Sequence, residues 1–215
     1  MKEIPRRLWH IFAGLSLPVA GLLAPQDIFL PALVAITIAA LILDIVRLRS
    51  PRVNRRFVAS FGVLLREREV STLNGGTYFL IAASIVFIFC DKSIAAIALV
   101  FVAVGDPIAG MVGERWGKLR INPEEGKISD FARFPRNLRF RGVKGKSLEG
   151  SSACLVACLV VGAILAAITH VALWVVVVGA ICATVIESLS LLVNDNLSIP
   201  LVTVGVMSLL QAIVV

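Results

Sequence analysis

The sequence predicts an all-α, polytopic membrane protein with about seven transmembrane helices. Composition is the first reason. Of 215 residues, 58% are hydrophobic and only 16% charged, with a mean hydropathy of +0.93, where soluble domains carry about 25% charged residues. Segment length is the second. Apolar runs near 8–24, 28–46, 74–90, 93–112, 150–169, 171–191 and 198–215 approach the roughly 20 residues that cross a bilayer as a helix. Charge placement is the third: 20 of the 21 Lys and Arg residues fall in alternate connections.

Taken in order, the connections orient the chain. Lys2, Arg6 and Arg7 precede the first run, which reads as a first span rather than a cleaved leader. The connection at Pro25-Gln26-Asp27 carries no basic residue, and neither does Thr169-His170, while Asp91-Lys92 carries one. Seven Arg lie between runs two and three, from Arg47 to Arg68, and ten Lys or Arg lie between runs four and five. The positive-inside rule makes those two loops, about 47–73 and 113–149, cytoplasmic. The N-terminus is then inside, the C-terminus outside, and the protein a multi-pass component of the cell membrane. Nothing in 1–215 has room for a separate soluble domain, so a single integral membrane domain is expected.

Within the first basic loop, Val53, Phe57, Phe61 and Leu65 recur every four residues among arginines. That pattern predicts a cytoplasmic amphipathic helix lying in the headgroup layer, the plainer reading being a basic topology signal. In the second loop, Phe131, Phe134 and Phe140 alternate with Arg133, Arg136, Arg139 and Arg141. Such a strip suits a nucleotide base with its phosphates, or an anionic lipid surface, equally well. Nucleic acid is not an expected partner, because topology accounts for the charge excess. Cys90, Cys154, Cys158 and Cys182 sit in apolar runs without a CxxC pair and read as small core residues.

Ionisable groups inside spans are costly, and they mark function or pairing. Asp106 follows the uncharged stretch Ile97–Val104, near the cytoplasmic end of run four. Gly105, Ala109, Gly113 and Gly117 form a small-residue stripe where another helix or a ligand can come close. Pro107 should bend or loosen the helix. The helix C-terminus beside Asp106 favours a cation, and magnesium, held by one or two carboxylates plus phosphate oxygens, is the natural one. Run five starts at the same face with Lys144, Lys146, Ser147, Glu149, Gly150 and Ser151, where open N–H groups and a lysine suit an anion. Ser147 or Ser151 could instead simply cap the helix. Neither Gly-Lys site, at Lys118 or Lys146, has Walker A spacing, so a P-loop enzyme is rejected. Glu187, Asp195 and Asn196 bring further oxygens to this face, the last two also being candidate caps, and Arg7 and His10 open run one there.

These residues carry a resemblance. Arg6-Arg7-Leu8-Trp9-His10, Gly105-Asp106 with Ala109, Gly113 and Gly117-Lys118, Lys146-Ser147 with Glu149-Gly150-Ser151, then Glu187, Asp195-Asn196 and Pro200 occur in one order over most of the chain. The set resembles the CTP-dependent lipid-alcohol kinases: dolichol, phytol and farnesol kinases and the fungal diacylglycerol kinase, with distant ties to phosphatidate cytidylyltransferase. Pro107 departs from the small or hydroxylated residue expected there. The resemblance implies a membrane kinase that moves the γ-phosphoryl of CTP to a polyprenol-type lipid alcohol, with Mg2+ or another divalent cation. It implies that Asp106, Lys146 and Glu187 are catalytic and that Asp106 and Asp195 hold metal. Gly105, Gly113, Gly117, Lys118, Lys144, Ser147, Glu149, Gly150, Ser151, Asp195 and Asn196 would bind nucleotide and phosphates, with Arg7 and His10 as further candidates.

Two competing readings stand beside it. A cytidylyltransferase would use the same nucleotide and topology, but the His-Gly-Gly and Asp-Arg run of the phosphatidate enzymes is missing. A transporter should carry its intramembrane charges near mid-bilayer on both halves of an internal repeat. Here they gather at one face.

Overall fold

The computed structural model describes residues 3–119, 121, 146–189 and 194–214. Its elements are α1 (Glu3–Leu23), α2 (Gln26–Arg49), α3 (Pro51–Phe61), a 3₁₀ turn (Glu67–Val70), α4 (Gly75–Phe89), α5 (Lys92–Trp116), α6 (Leu148–Thr169), α7 (Leu173–Leu189) and α8 (Asp195–Val214). Each expected span falls on one helix, with ends shifted by a few residues. Helices α2, α5, α6 and α8 are long and apolar enough to cross a membrane, and α4 and α7 are apolar but shorter. The chain is an all-α polytopic membrane protein.

Local chemistry sets the ends. The Asp91 side chain accepts the N–H groups of Ser93 and Ile94 (2.8 and 3.2 Å) and starts α5. Asn74 accepts from the Thr77 N–H (2.9 Å) and starts α4, and Pro51 occupies the first position of α3, where no N–H is needed. Helix α6 stops at His170, whose φ of 58° is the left-handed conformation that ends a helix.

Helix α5 is the axis of the molecule. Its apolar stretch is 78% buried, against 11% for α2, and α1, α4, α6, α7 and α8 all pack on it. Ile97, Leu99, Phe101 and Val102 are at most 1% exposed. The outward faces of α2, α6 and α8 are leucine, isoleucine and valine, as hydrocarbon requires. Pro107 lies within one uninterrupted helix.

Two sequence expectations need correction. Arg47 is not a loop charge: α2 runs on through it, and it is fully buried. The interfacial helix is also shorter than its pattern suggests. Helix α3 ends at Phe61, and Leu65 belongs to the turn that follows. Phe131, Phe134, Phe140 and their neighbouring arginines, together with Lys2 and Lys144, lie outside the described residues.

Candidate active site

The site is built where the glycines of α5 let α6 approach closely. A Cβ at Gly105 would stand 2.8 Å from the Cys154 sulfur, one at Gly113 3.0 Å from Ser147 Oγ, and one at Gly150 2.7 Å from the Ala109 carbonyl oxygen. The small-residue stripe is therefore a helix contact, close enough to need glycine. It brings the N-terminus of α6 alongside Asp106. The Ser147 side chain caps α6 by accepting the Gly150 N–H (3.1 Å). Short backbone bonds fix the entry to α6: Leu148 N–H donates to the Leu119 carbonyl (2.9 Å), and Ile121 N–H to that of Lys146 (2.8 Å).

Lys146 stands at the centre. Its Nζ pairs with Glu187 of α7 and lies 3.6 Å from Asp195 Oδ2 of α8 and 3.8 Å from Asp106 Oδ1 of α5. Arg66, from the connection after α3, reaches Asp106 Oδ2 at 3.2 Å. Ser151 donates to Glu187 Oε2 at 3.4 Å. Three carboxylates thus share two cations, a formal balance of one negative charge. Burial opposes the charge on Lys146, yet Asp106, Asp195 and Glu187 outweigh it and hold the ammonium above its ordinary range. The Asp106 charge, against the cost of burial, likewise raises Arg66.

Neighbouring contacts hold these groups in place. Asn194 accepts the Asn196 N–H with its side chain (3.0 Å). It thereby takes over the capping of α8 and leaves Asp195 to face Lys146. Asn196 donates to the Gly75 carbonyl (2.8 Å), tying α8 to α4. Arg7 pairs with Glu114 across α1 and α5. The buried Nε2 of His10 has no hydrogen-bond partner among the described residues.

The Lys146 cluster, with Arg7, His10 and Asn196, lines one cleft of about 1040 Å³ with two unlike parts. The charged part is the Lys146 cluster with Arg66 and Asn196. The other is apolar, with Ala13 and Leu17 of α1, Phe57 and Phe61 of α3, and Phe79 and Leu80 of α4.

The structure brings Asp106, Lys146, Glu187, Asp195, Asn196 and Ser151 together, with Gly113, Gly150, Ser147, Arg7 and His10 also on the cleft wall. It does not bring Gly105, Gly117, Lys118 or Glu149 to the wall. Gly105 and Gly117 serve the α5–α6 contact. Glu149 instead accepts the backbone N–H groups of Lys118 (3.0 Å) and Leu119 (3.3 Å), and the Lys118 side chain is exposed. Sequence reasoning missed the part that Arg66 and Glu69 play in the site. Arg66 stood only as one of several basic residues on an amphipathic pattern, and no spacing links it to Asp106.

Among the described residues, no three of His, Cys, Asp and Glu form a ready ion cage. Magnesium seldom uses one, taking one or two carboxylates with phosphate oxygens and water. Asp106 and Asp195, each with an oxygen within 4 Å of the Lys146 ammonium, supply two carboxylates of that kind.

Comparison with known proteins gives three fungal relatives, each called CTP-dependent diacylglycerol kinase 1. That of Eremothecium gossypii is 31% identical over 137 residues, 61% of this chain and 43% of the relative. That of Saccharomyces cerevisiae is 30% identical over 120 residues, covering 54% and 41%. That of Schizosaccharomyces pombe is 32% identical over 119 residues, 54% of each. The chain spans about half the length of these relatives. An uncharacterized protein of Rickettsia prowazekii is 24% identical over 206 residues, covering 93% of this chain and 90% of that one. No family profile and no solved structure matches. The likeness to CTP-dependent lipid kinases read from the sequence is borne out by the fungal relatives.

Proposed function

We propose that this chain transfers the γ-phosphoryl group of CTP to the hydroxyl of a membrane lipid, at the cytoplasmic face. One observation carries the reading: a cluster of two cations and three carboxylates opens directly onto an apolar groove. A nucleotide's phosphates suit the first part and a lipid tail the second. The names of the fungal relatives support CTP as donor.

In this chemistry the lipid oxygen forms a bond to the γ-phosphorus while the bond to the β-bridging oxygen breaks, and CDP leaves. The hydroxyl proton passes to a carboxylate, Asp106 or Glu187. Lys146 and Arg66 exchange carboxylate partners for phosphate oxygens and neutralise charge on the transferring group. A divalent cation bound with the nucleotide, held by Asp106 and Asp195, would supply further charge neutralisation. The cluster favours one, since its own balance is already negative.

The acceptor implied by the sequence resemblance is a polyprenol-type alcohol such as dolichol or geranylgeraniol, whereas the fungal relatives are named for diacylglycerol. The test therefore uses purified protein in lipid with magnesium, both acceptor classes, and CTP labelled at the α or the γ phosphate. Label from the γ position in lipid supports the kinase and names the acceptor. Label from the α position transfers the case to a CDP-lipid-forming cytidylyltransferase. Absence of transfer overturns both.

A further inference from the structure

Asp44 and Arg47 lie one turn apart on α2, both fully buried, and neither lines the cleft. Arg47 Nε donates to Asp44 Oδ1 at 2.5 Å. Its Nη1 donates to the Glu69 carbonyl (3.0 Å) and to Asn54 Oδ1 (3.3 Å), and its Nη2 to the Thr72 carbonyl (2.6 Å). The Phe57 ring covers the guanidinium at 4.9 Å. Asp44 Oδ2 accepts the Asn74 N–H at 3.0 Å. The pair thus grips the backbone at residues 69, 72 and 74.

A second set of bonds runs from there into the cleft. Glu69 accepts the Arg66 N–H (2.9 Å) with one oxygen and the Gly75 N–H (3.1 Å) with the other. Arg66 reaches Asp106, and the Gly75 carbonyl holds Asn196. A buried ion pair adds little net stability over an apolar pair of equal volume. What a rigid fork of donors supplies is direction.

We propose that Asp44 and Arg47 are positioning residues, acting through the Glu67–Val70 turn to set where Arg66 and Glu69 stand against Asp106. The kinetic half of this proposal rests on the kinase reading, and the structural half does not. The test combines hydrogen exchange and kinetics on the full chain in lipid, with Asp44→Asn, Arg47→Lys, Arg66→Gln and the double variant Asp44→Asn/Arg66→Gln. Amides of 66–75 should exchange about tenfold faster in Asp44→Asn and Arg47→Lys, with α5 and α6 unchanged. With CTP and the preferred acceptor, kcat/KM should fall about tenfold in Asp44→Asn, and the double variant should be no worse than Arg66→Gln alone. Multiplying losses in the double variant would overturn the proposal. So would a lower melting temperature with unchanged exchange at 66–75. Arg47→Lys keeps the charge while losing the fork, and it serves if Asp44→Asn does not fold. If the wild-type protein transfers nothing from CTP, the kinase reading fails and the exchange data alone decide the positioning role.

Discussion

At the scale of residues, the shared ammonium of Lys146 makes distinct forecasts for its partners. On the kinase reading Asp106→Asn should remain folded and lose turnover by about a thousandfold or more, since one change removes both a proposed metal-holding carboxylate and a candidate proton acceptor. A radiolabel assay beside a melting curve separates activity from folding. Lys146→Met should cost about 3–5 kcal/mol, because it leaves Glu187, 1% exposed, without its cation. Adding Glu187→Gln should recover most of that stability and none of the activity. The raised Lys146 pKa also fixes a sign. A folded-state value above the unfolded one contributes stability that is complete below about 10.4 and is lost only as pH rises through the folded value. Between pH 6 and 9, melting temperature should show no Lys146-linked decline, and a decline within that window that Lys146→Met abolishes would contradict this. Asp106 was legible as a lone charge in hydrocarbon. Arg66 was not, because its partner lies 40 residues away and a solvated arginine looks the same in sequence. Asp44 and Arg47 do leave a signal, a charged pair at i and i+3 near a helix end, but counting basic residues places Arg47 in a loop and passes over Asp44.

At the scale of elements, the glycine stripe is a geometric statement about α5 and α6. Gly150→Ala should destabilise by about 1–3 kcal/mol, since its Cβ would lie 2.7 Å from a backbone carbonyl oxygen that cannot rotate away. Gly205→Ala, with nothing within 4 Å, should be neutral or stabilising by up to about 1 kcal/mol. Thermal melts of the two variants in one lipid composition make the comparison, and equal losses would refute the close-contact reading. The stripe was readable in sequence, as were all seven apolar helices, because period and length are local properties. What the stripe meets was not. The choice between helix contact and ligand contact depends on which element lies opposite, and Ser147 and Glu149 turned out to serve the backbone around them.

At the scale of the molecule, Asp106 and Ser151 line the cleft near one end of α5 and α6, and Asp91 and His170, at the opposite ends of the same helices, line a second one together. In a cysteine-free background, Arg52→Cys and Lys92→Cys should react with an impermeant maleimide from opposite sides of sealed vesicles, Arg52→Cys from the cytoplasmic side. Labelling of both from one side would overturn the topology. The cluster of carboxylates beside the apolar groove also bears on how the proposed cycle would finish. An acceptor arrives neutral, and a phosphate monoester carries about −1.5 to −2 at pH 7. Asp106, Glu187 and Asp195 would compete with that dianion for Lys146 and Arg66 once the nucleotide and its metal depart. On the kinase reading this would loosen the hold on the product, so that turnover would not wait on a slow spontaneous escape into the surrounding bilayer.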